Sequence, residues 1–280
     1  MKKISYNIGK ILIWIVIAVL ILFSVYPVVY ALLGSLKTNA ELTLGSGILP
    51  EGFQWGNYKK AFIDSNFLEY GKNSLIISLA TMALAVVTTS LSGYILARFD
   101  FAGKKLMTAA YTAMMFVTIG SVALYPITQL LAKVHLQKSM LALVLVLTGA
   151  QITNVFLVQG FVSGIPVELD EAAKIDGCSI FRIWWQIIIP LIRPILGVIA
   201  LFTFRNTWND YITTLVMTMS NKRLTTLTVA VVQLKYSVFA AAEWHIMLAG
   251  ASLAIIPVLI LYVFTNKQFI AGLTAGSVKG

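Results

Sequence analysis

SGIPVELDEAAKIDGCSIFRIWWQIIIP, residues Ser163 to Pro190, is the stretch on which the reading of this chain turns. Long apolar runs flank it on both sides, yet four acids, Glu168, Asp170, Glu171 and Asp176, fall within nine residues of it. Carboxylates at that density are too costly to place in hydrocarbon, so the segment belongs on an aqueous side. Pro166 suits the first turn of a helix, where a missing N–H loses nothing. Glu168, Asp170 and Glu171 then lie near the positive end of that helix. Asp170 and Glu171 precede Lys174 by four and three residues, so each can meet it on one face. Ala172 and Ala173 favour helix and add little bulk, which lets another surface come close. Gly177 suits a left-handed helix end, and Ser179 suits a new start. The second helix, 180–189, is predicted to stop at Pro190. The whole element reads as a polar handle for a soluble partner. A solvated helix with no partner would explain the charge, but not the paired small residues, the glycine turn or the apolar second helix.

The composition fits a handle on a membrane protein. Hydrophobic residues make up 59% of the 280, charged residues 11%, and the mean hydropathy is +0.86. Soluble domains carry about a quarter charged residues. The net charge of +10 comes from basic residues scattered between apolar runs, with no basic stripe or nucleic-acid motif, which excludes nucleic acid as a partner. Near the ends of spans, excess Lys and Arg is the ordinary topogenic signal. Cys178 is the single cysteine, so neither a disulfide framework nor a cysteine metal site is available within the chain, and it reads as a small packing residue.

Six apolar runs are predicted to span the membrane. The first, from Ile11 to about Leu33, follows Lys2, Lys3 and Lys10. It is longer than a secretory signal core and lacks a clean cleavage site. Residues 34–72 form an outer loop whose Gly, Pro and aromatic content suggests short interfacial structure. The next runs are 73–97, 106–131 and 140–162, and the fifth and sixth are 191–219 and 246–266. Small residues in the second run, Gly93 among them, permit close helix approach. Six spans put both termini and the 163–190 element on one side, the cytoplasm. On this arrangement eleven basic residues fall inside and nine outside, so the orientation rests on the first span, whose flanking lysines point inward. The predicted fold is thus an all-α membrane protein of six helices. It divides into residues 1–70 (first span and outer loop), a core of 71–264, and a cytoplasmic tail of 265–280. No internal repeat marks two equivalent halves.

Polar groups inside the spans are the second feature. Arg205, Asn206, Trp208, Asn209 and Asp210 cluster in the fifth run, and Gln151, Asn154 and Gln159 lie in the fourth. Phe202, Asn206 and Asp210 recur every four residues and so share one helix face. Carboxamides, a carboxylate and aromatics suit a sugar. Polar contacts between helices are the other use open to them. His135 and His245 lie far apart in sequence and read as interface residues rather than metal ligands. Neither a metal site nor a catalytic nucleophile–base arrangement stands out, and the loop acids fit docking better than acid–base chemistry.

At this point the spacing becomes recognisable. Glu171-Ala172-Ala173, three residues, Gly177, nine residues, then Ile187-x-Ile189-Pro190 resembles the Glu-Ala-Ala loop of membrane subunits in binding-protein-dependent ABC importers. Ile189 stands where that family usually has Leu, and Cys178 where Ala is common. Trp208-Asn209-Asp210-Tyr211 and the tail from Gly272 to Gly280 are similar to the carbohydrate branch, in particular the maltose-type second membrane subunit. The resemblance extends over essentially the whole chain. It implies a coupling helix, with Glu168, Asp170, Glu171, Ala172, Ala173, Asp176, Gly177 and Pro190 at the docking element, that meets a cytoplasmic ATPase. It also implies a bacterial cell-membrane location and a heterodimer with a second, similar membrane subunit. Two ATPase subunits, an extracytoplasmic sugar-binding protein and a sugar or oligosaccharide substrate complete the system. No GxxxxGK[ST] phosphate loop occurs, so the chain is not expected to be an enzyme or to hold a cofactor of its own. ATP and Mg would be bound by the partner. A self-contained channel or secondary carrier is the competing reading, and a membrane-embedded enzyme a third.

Overall fold

The computed structural model describes residues 2–45, 47–117, 120–149, 151–235 and 242–275, the side chains of 2–9, 11 and 264–275 excepted. Among these residues the chain is helical and contains no strand. In order, the helices are α1 (Lys2–Gly34), α2 (Asn39–Leu44), α3 (Gly56–Asp64), α4 (Phe67–Arg98), α5 (Lys104–Phe116), α6 (Leu124–Lys133), α7 (Met140–Gly149) and α8 (Ile152–Ser163). Then come α9 (Glu168–Ile175), α10 (Ile180–Ile183), a π-helical turn (Trp184–Ile188), α11 (Ile189–Leu191) and α12 (Arg193–Asn209). The last are α13 (Ile212–Thr218), α14 (Leu227–Gln233) and α15 (Trp244–Ala275). Residues 276–280 of the tail lie outside the described residues.

Among the described residues three helices are each long and apolar enough to cross a membrane: Leu12–Gly34 within α1, the whole of α4, and Trp244–Val263 within α15. The fourth and fifth apolar runs reach that length only as broken pairs, α7 with α8 and Ile180–Leu191 with α12. The third run, expected as one helix over 106–131, is interrupted: α5 ends at Phe116, a 3₁₀ turn occupies Gly120–Ala123, and α6 starts at Leu124. The fifth run also breaks, at Asp210 and Tyr211 between α12 and α13.

Two compact units divide the chain. The first comprises Met1–Leu68 and Ala230–Ile256. Its α1 exposes apolar side chains on every side, as suits a helix surrounded by hydrocarbon. The loop that follows is ordered by side chains rather than by bulk. Asn57 Nδ2 donates to the carbonyls of Ser35 and Lys37, both at 2.8 Å. Asn39 donates to the Ala242 carbonyl at 2.8 Å and accepts from the Trp244 amide at 3.1 Å, which ties α2 to the start of α15. Lys60 and Glu243 pair at 3.0 Å nearby. Short structure expected in this loop is therefore present as α2 and α3.

The second unit comprises Glu69–Val229 and Pro257–Gly280. Its principal core gathers Tyr94, Val158, Val162, Ile183, Trp184, Ile188 and Ile199. Gly93 explains how α4 and α8 come so close. A Cβ added there would stand 2.6 Å from the Val158 side chain and 2.9 Å from the Gln159 amide nitrogen. A second cluster joins Ile77 of α4 to Leu131, Leu143 and Met217. Asn73 and Ser74 fasten the other end of α4. Asn73 Nδ2 donates to the carbonyls of Arg223 (2.8 Å) and Thr225 (3.0 Å), and Ser74 Oγ accepts from the Leu227 amide at 2.8 Å.

Pro190 does not end the second helix of the 163–190 element, as the sequence predicts. The backbone widens ahead of it, so that the Ile189 amide reaches back to the Trp184 carbonyl. The wide turn accommodates a residue that can donate no hydrogen bond. The sharp turn falls at Ile192, where the axis bends by 84° and α12 begins with Pro194 in its first turn.

Candidate functional site

Glu168–Ile175, the polar helix α9, has two chemically distinct faces. Glu168, Glu171, Ala172 and Ile175 are exposed and recur at helical spacing, and Ile175 is 87% exposed. Asp170 and Ala173 point the other way and are buried. Pro166 precedes the helix rather than occupying its first turn, because Val167 is the N-cap and its carbonyl accepts from the Asp170 amide at 2.9 Å and the Glu171 amide at 3.1 Å. The three acids of the first turn remain well matched to the helix dipole.

The C-terminus of α9 closes as expected. Gly177 adopts φ +77°, its amide reaches the Lys174 carbonyl at 3.0 Å, and the Cys178 amide reaches the Ala173 carbonyl at 2.9 Å. These two bonds form a Schellman motif, for which glycine is the low-strain residue. Ser179 then caps α10 by accepting from the Arg182 amide at 3.3 Å. Asp176 is exposed beside the turn, as is Pro190 beyond it.

Asp170 does not pair with Lys174. Its side chain is 3% exposed and is taken by the last turn of α4: Tyr94 OH donates to Oδ1 at 2.7 Å and Arg98 Nε to Oδ2 at 3.0 Å. A buried carboxylate needs partners of this kind, and an exposed lysine could supply them only at the surface. Arg98 Nη2 also donates to the Ile165 carbonyl at 2.8 Å. Lys174 instead lies 5.6 Å over the Phe99 ring, which meets Tyr94 edge-on at 5.7 Å. Tyr94 and Arg98 were not apparent as site residues in the sequence. Their four-residue spacing at the last turn of a span is the one local signal they carry.

The polar residues of the spans surround a cavity of about 640 Å³ within the second unit. That is inside the usual range for small-molecule pockets, about 300–1,000 Å³. Gln151, Asn154, Phe202, Asn206 and Asp210 line it, together with Gly120 at the break before α6. Trp208 and Asn209 do not. Trp208 is buried and stacks on Phe204 at 5.7 Å, and Asn209 is exposed elsewhere on α12. Asn154 Nδ2 donates to Gln151 Oε1, which also accepts from Thr203 of α12 at 3.4 Å. Asp210 Oδ1 accepts from the Thr214 amide at 2.8 Å and so starts α13 after the break. Arg205 lies over the Phe202 ring at 5.7 Å. The cavity thus collects helix interruptions as well as side chains. Irregular backbone at membrane depth is tolerated where it is enclosed by protein or faces water. Among the described residues no group of three or more His, Cys, Asp or Glu side chains could hold a metal ion.

Several apolar helices, broken helices around a polar cavity, and an amphipathic helix between α8 and α12 are the architecture of a membrane protein with more than one span. Residues 89–271 match the family model described as the binding-protein-dependent transport system inner membrane component, and the chain belongs to that family. The chain is 33% identical to the probable starch degradation products transport system permease protein AmyC of Thermoanaerobacterium thermosulfurigenes, over 93% of this chain and 94% of that one. It is 31% identical to the arabinooligosaccharides transport system permease protein AraQ of Bacillus subtilis, over 98% and 96% of the two chains. The maltodextrin transport system permease protein MalD of Streptococcus pneumoniae is 30% identical over 91% and 90%. The fold of the present chain matches that of a chain in the crystal structure of a bacterial ABC transporter involved in the import of the acidic polysaccharide alginate. The TM-score is 0.80 at 20% identity, covering 95% of this chain and 98% of that one.

Proposed function

We propose that this chain is one of two membrane subunits of an ATP-driven importer of sugars or oligosaccharides in a bacterial cell membrane. The observation that carries the reading is the exposed face of α9, where Glu168, Glu171, Ala172 and Ile175 stand clear of the chain's own core while Asp170 and Ala173 hold the helix in place. A short helix presented in this way is a docking element. The Glu-Ala-Ala to Gly177 spacing supports an ATPase as what docks there. Six spans, with both termini and α9 on the cytoplasmic side, fit this arrangement. The interrupted third, fourth and fifth runs then count as spans whose breaks meet the cavity. A second, similar membrane subunit, two ATPase subunits that bind ATP and Mg, and an extracytoplasmic sugar-binding protein complete the assembly.

Substrate would pass the cavity lined by Gln151, Asn154, Phe202, Asn206 and Asp210. Amides and a carboxylate exchange hydrogen bonds with hydroxyls, and an aromatic ring covers the apolar face of a sugar. The permeases of arabino-oligosaccharides and maltodextrin among its relatives support a carbohydrate cargo. The test is uptake of radiolabelled maltodextrin and arabino-oligosaccharide into vesicles holding the complete system. Uptake is expected only with ATP, the ATPase and the binding protein all present. Equal flux through vesicles containing this chain alone would replace the proposal with a self-contained carrier.

A further inference from the structure

The end of α4 and the buried side of α9 carry more than packing. Three side chains, Tyr94, Arg98 and Asp170, share one enclosed network. Tyr94 has no exposed surface, and both carboxylate oxygens of Asp170 are occupied, one by each partner. Arg98 holds α9 through the Asp170 carboxylate and holds the segment leading into it through the Ile165 carbonyl. Lys174 over Phe99 adds a contact at the last turn of α9.

Helix α9 has eight residues, too few to hold its own direction in water, so its orientation is set by its attachments. Apart from the network, its buried side offers chiefly Ala173, a small side chain over which a neighbouring surface can slide. Charge-assisted hydrogen bonds, by contrast, are directional and resist sliding. A buried ion pair is also weak support for stability, since apolar residues of similar size often serve as well. Its presence here therefore asks for a use in which direction matters.

We propose that Tyr94, Arg98 and Asp170 are the link that passes displacement of α9 into α4, so that movement at the docking face becomes movement of a membrane-spanning helix. The inference rests on the reading of α9 as the ATPase-docking element. Helix α4 is suited to receive the motion. It has 32 residues, is about 48 Å long at ~1.5 Å per residue, and is locked to α8 at Gly93. The three residues are positioning residues; none of them needs to touch ATP or sugar.

The assembled transporter in proteoliposomes provides the test, with ATP hydrolysis and sugar uptake measured in the same vesicles. Uptake per ATP is a ratio, so a smaller amount of assembled complex does not alter it. Asp170→Asn and Tyr94→Phe are expected to keep ATP hydrolysis while uptake per ATP falls by roughly tenfold, the scale of a lost hydrogen bond to a charged group. Arg98→Lys, which retains charge but cannot reach Asp170 and the Ile165 carbonyl together, is expected to fall between these variants and the wild type. Glu171→Lys, on the exposed face, reports on the docking reading itself. If Asp170→Asn and Tyr94→Phe keep wild-type uptake per ATP while Glu171→Lys loses it, the link is wrong and the docking face stands. If Glu171→Lys is also wild type, the docking reading beneath it fails. Should Asp170→Asn not assemble, Tyr94→Phe decides, because it removes one hydroxyl and no charge.

Discussion

At Gly177 the chain needs a left-handed residue, with φ +77°, to close α9 through two hydrogen bonds. Gly177→Ala puts a Cβ into that conformation at about 1–2 kcal/mol. The thermal midpoint of the purified complex should fall by a few degrees, with uptake falling in step; an unchanged midpoint would contradict the strain. Asp210 is a different case, since one oxygen starts α13 through the Thr214 amide while the residue also borders the cavity. Asp210→Asn keeps an acceptor for that amide, whereas Asp210→Ala removes it at about 1 kcal/mol. If the carboxylate contacts sugar, Asp210→Asn raises the KM for uptake while the thermal midpoint stays put. A wild-type KM would leave Asp210 as an acceptor for the Thr214 amide alone. The sequence showed Asp210, Asn206 and Phe202 on one face, and that was legible because helical spacing is local. It could not show Asp170 turned inward, since Tyr94 and Arg98 stand 76 and 72 residues earlier.

Among elements, α4 and α8 meet with little freedom at Gly93. Gly93→Ala must displace the Val158 side chain and press on backbone at Gln159, at about 1–3 kcal/mol. The complex should unfold at lower temperature, and Val158→Ala in the same chain should recover part of the loss. Failure of the second change to recover anything would place the strain elsewhere. Helix α2 gives a pH-dependent counterpart outside the spans. Glu41 accepts from the Glu51 amide, the Thr38 amide and the Thr38 hydroxyl, and these bonds lower its pKa, the Glu51 amide most. A lowered folded pKa means the cap is fully present above the ordinary glutamate value of about 4.3 and is lost as pH falls through the folded value. Protection factors of the amides in 38–44, which remove the intrinsic pH dependence of exchange, should therefore fall only in acid, below that value. Loss of protection already near neutral pH would contradict the capping geometry. Pattern alone revealed the caps at Gly177 and Ser179, because caps are written in a few adjacent residues. The breaks in α5–α6, α7–α8 and α12–α13 were hidden, since the apolar runs continue through them and tertiary contacts decide where the helix stops.

In the proposed assembly, an exposed docking face, a buried link and a polar cavity form one path from the ATPase to the substrate. The family and the all-helical, apolar character were legible, and three of the apolar runs coincide with helices long enough to cross a membrane, because hydropathy and the 163–190 spacing are properties of the chain itself. Which side of α9 faces outward was not, because Ala172 and Ala173 are identical residues separated only by the helical turn. That same pair supplies the most direct measurement. In a Cys178→Ser background no other cysteine remains in the chain, so Ala172→Cys and Ala173→Cys each present a single thiol to a short thiol-to-amine crosslinker in native membranes. An adduct between this chain and the ATPase is expected from position 172, and none from the buried position 173. Equal adducts from both positions, or no ATPase adduct from position 172, would contradict it.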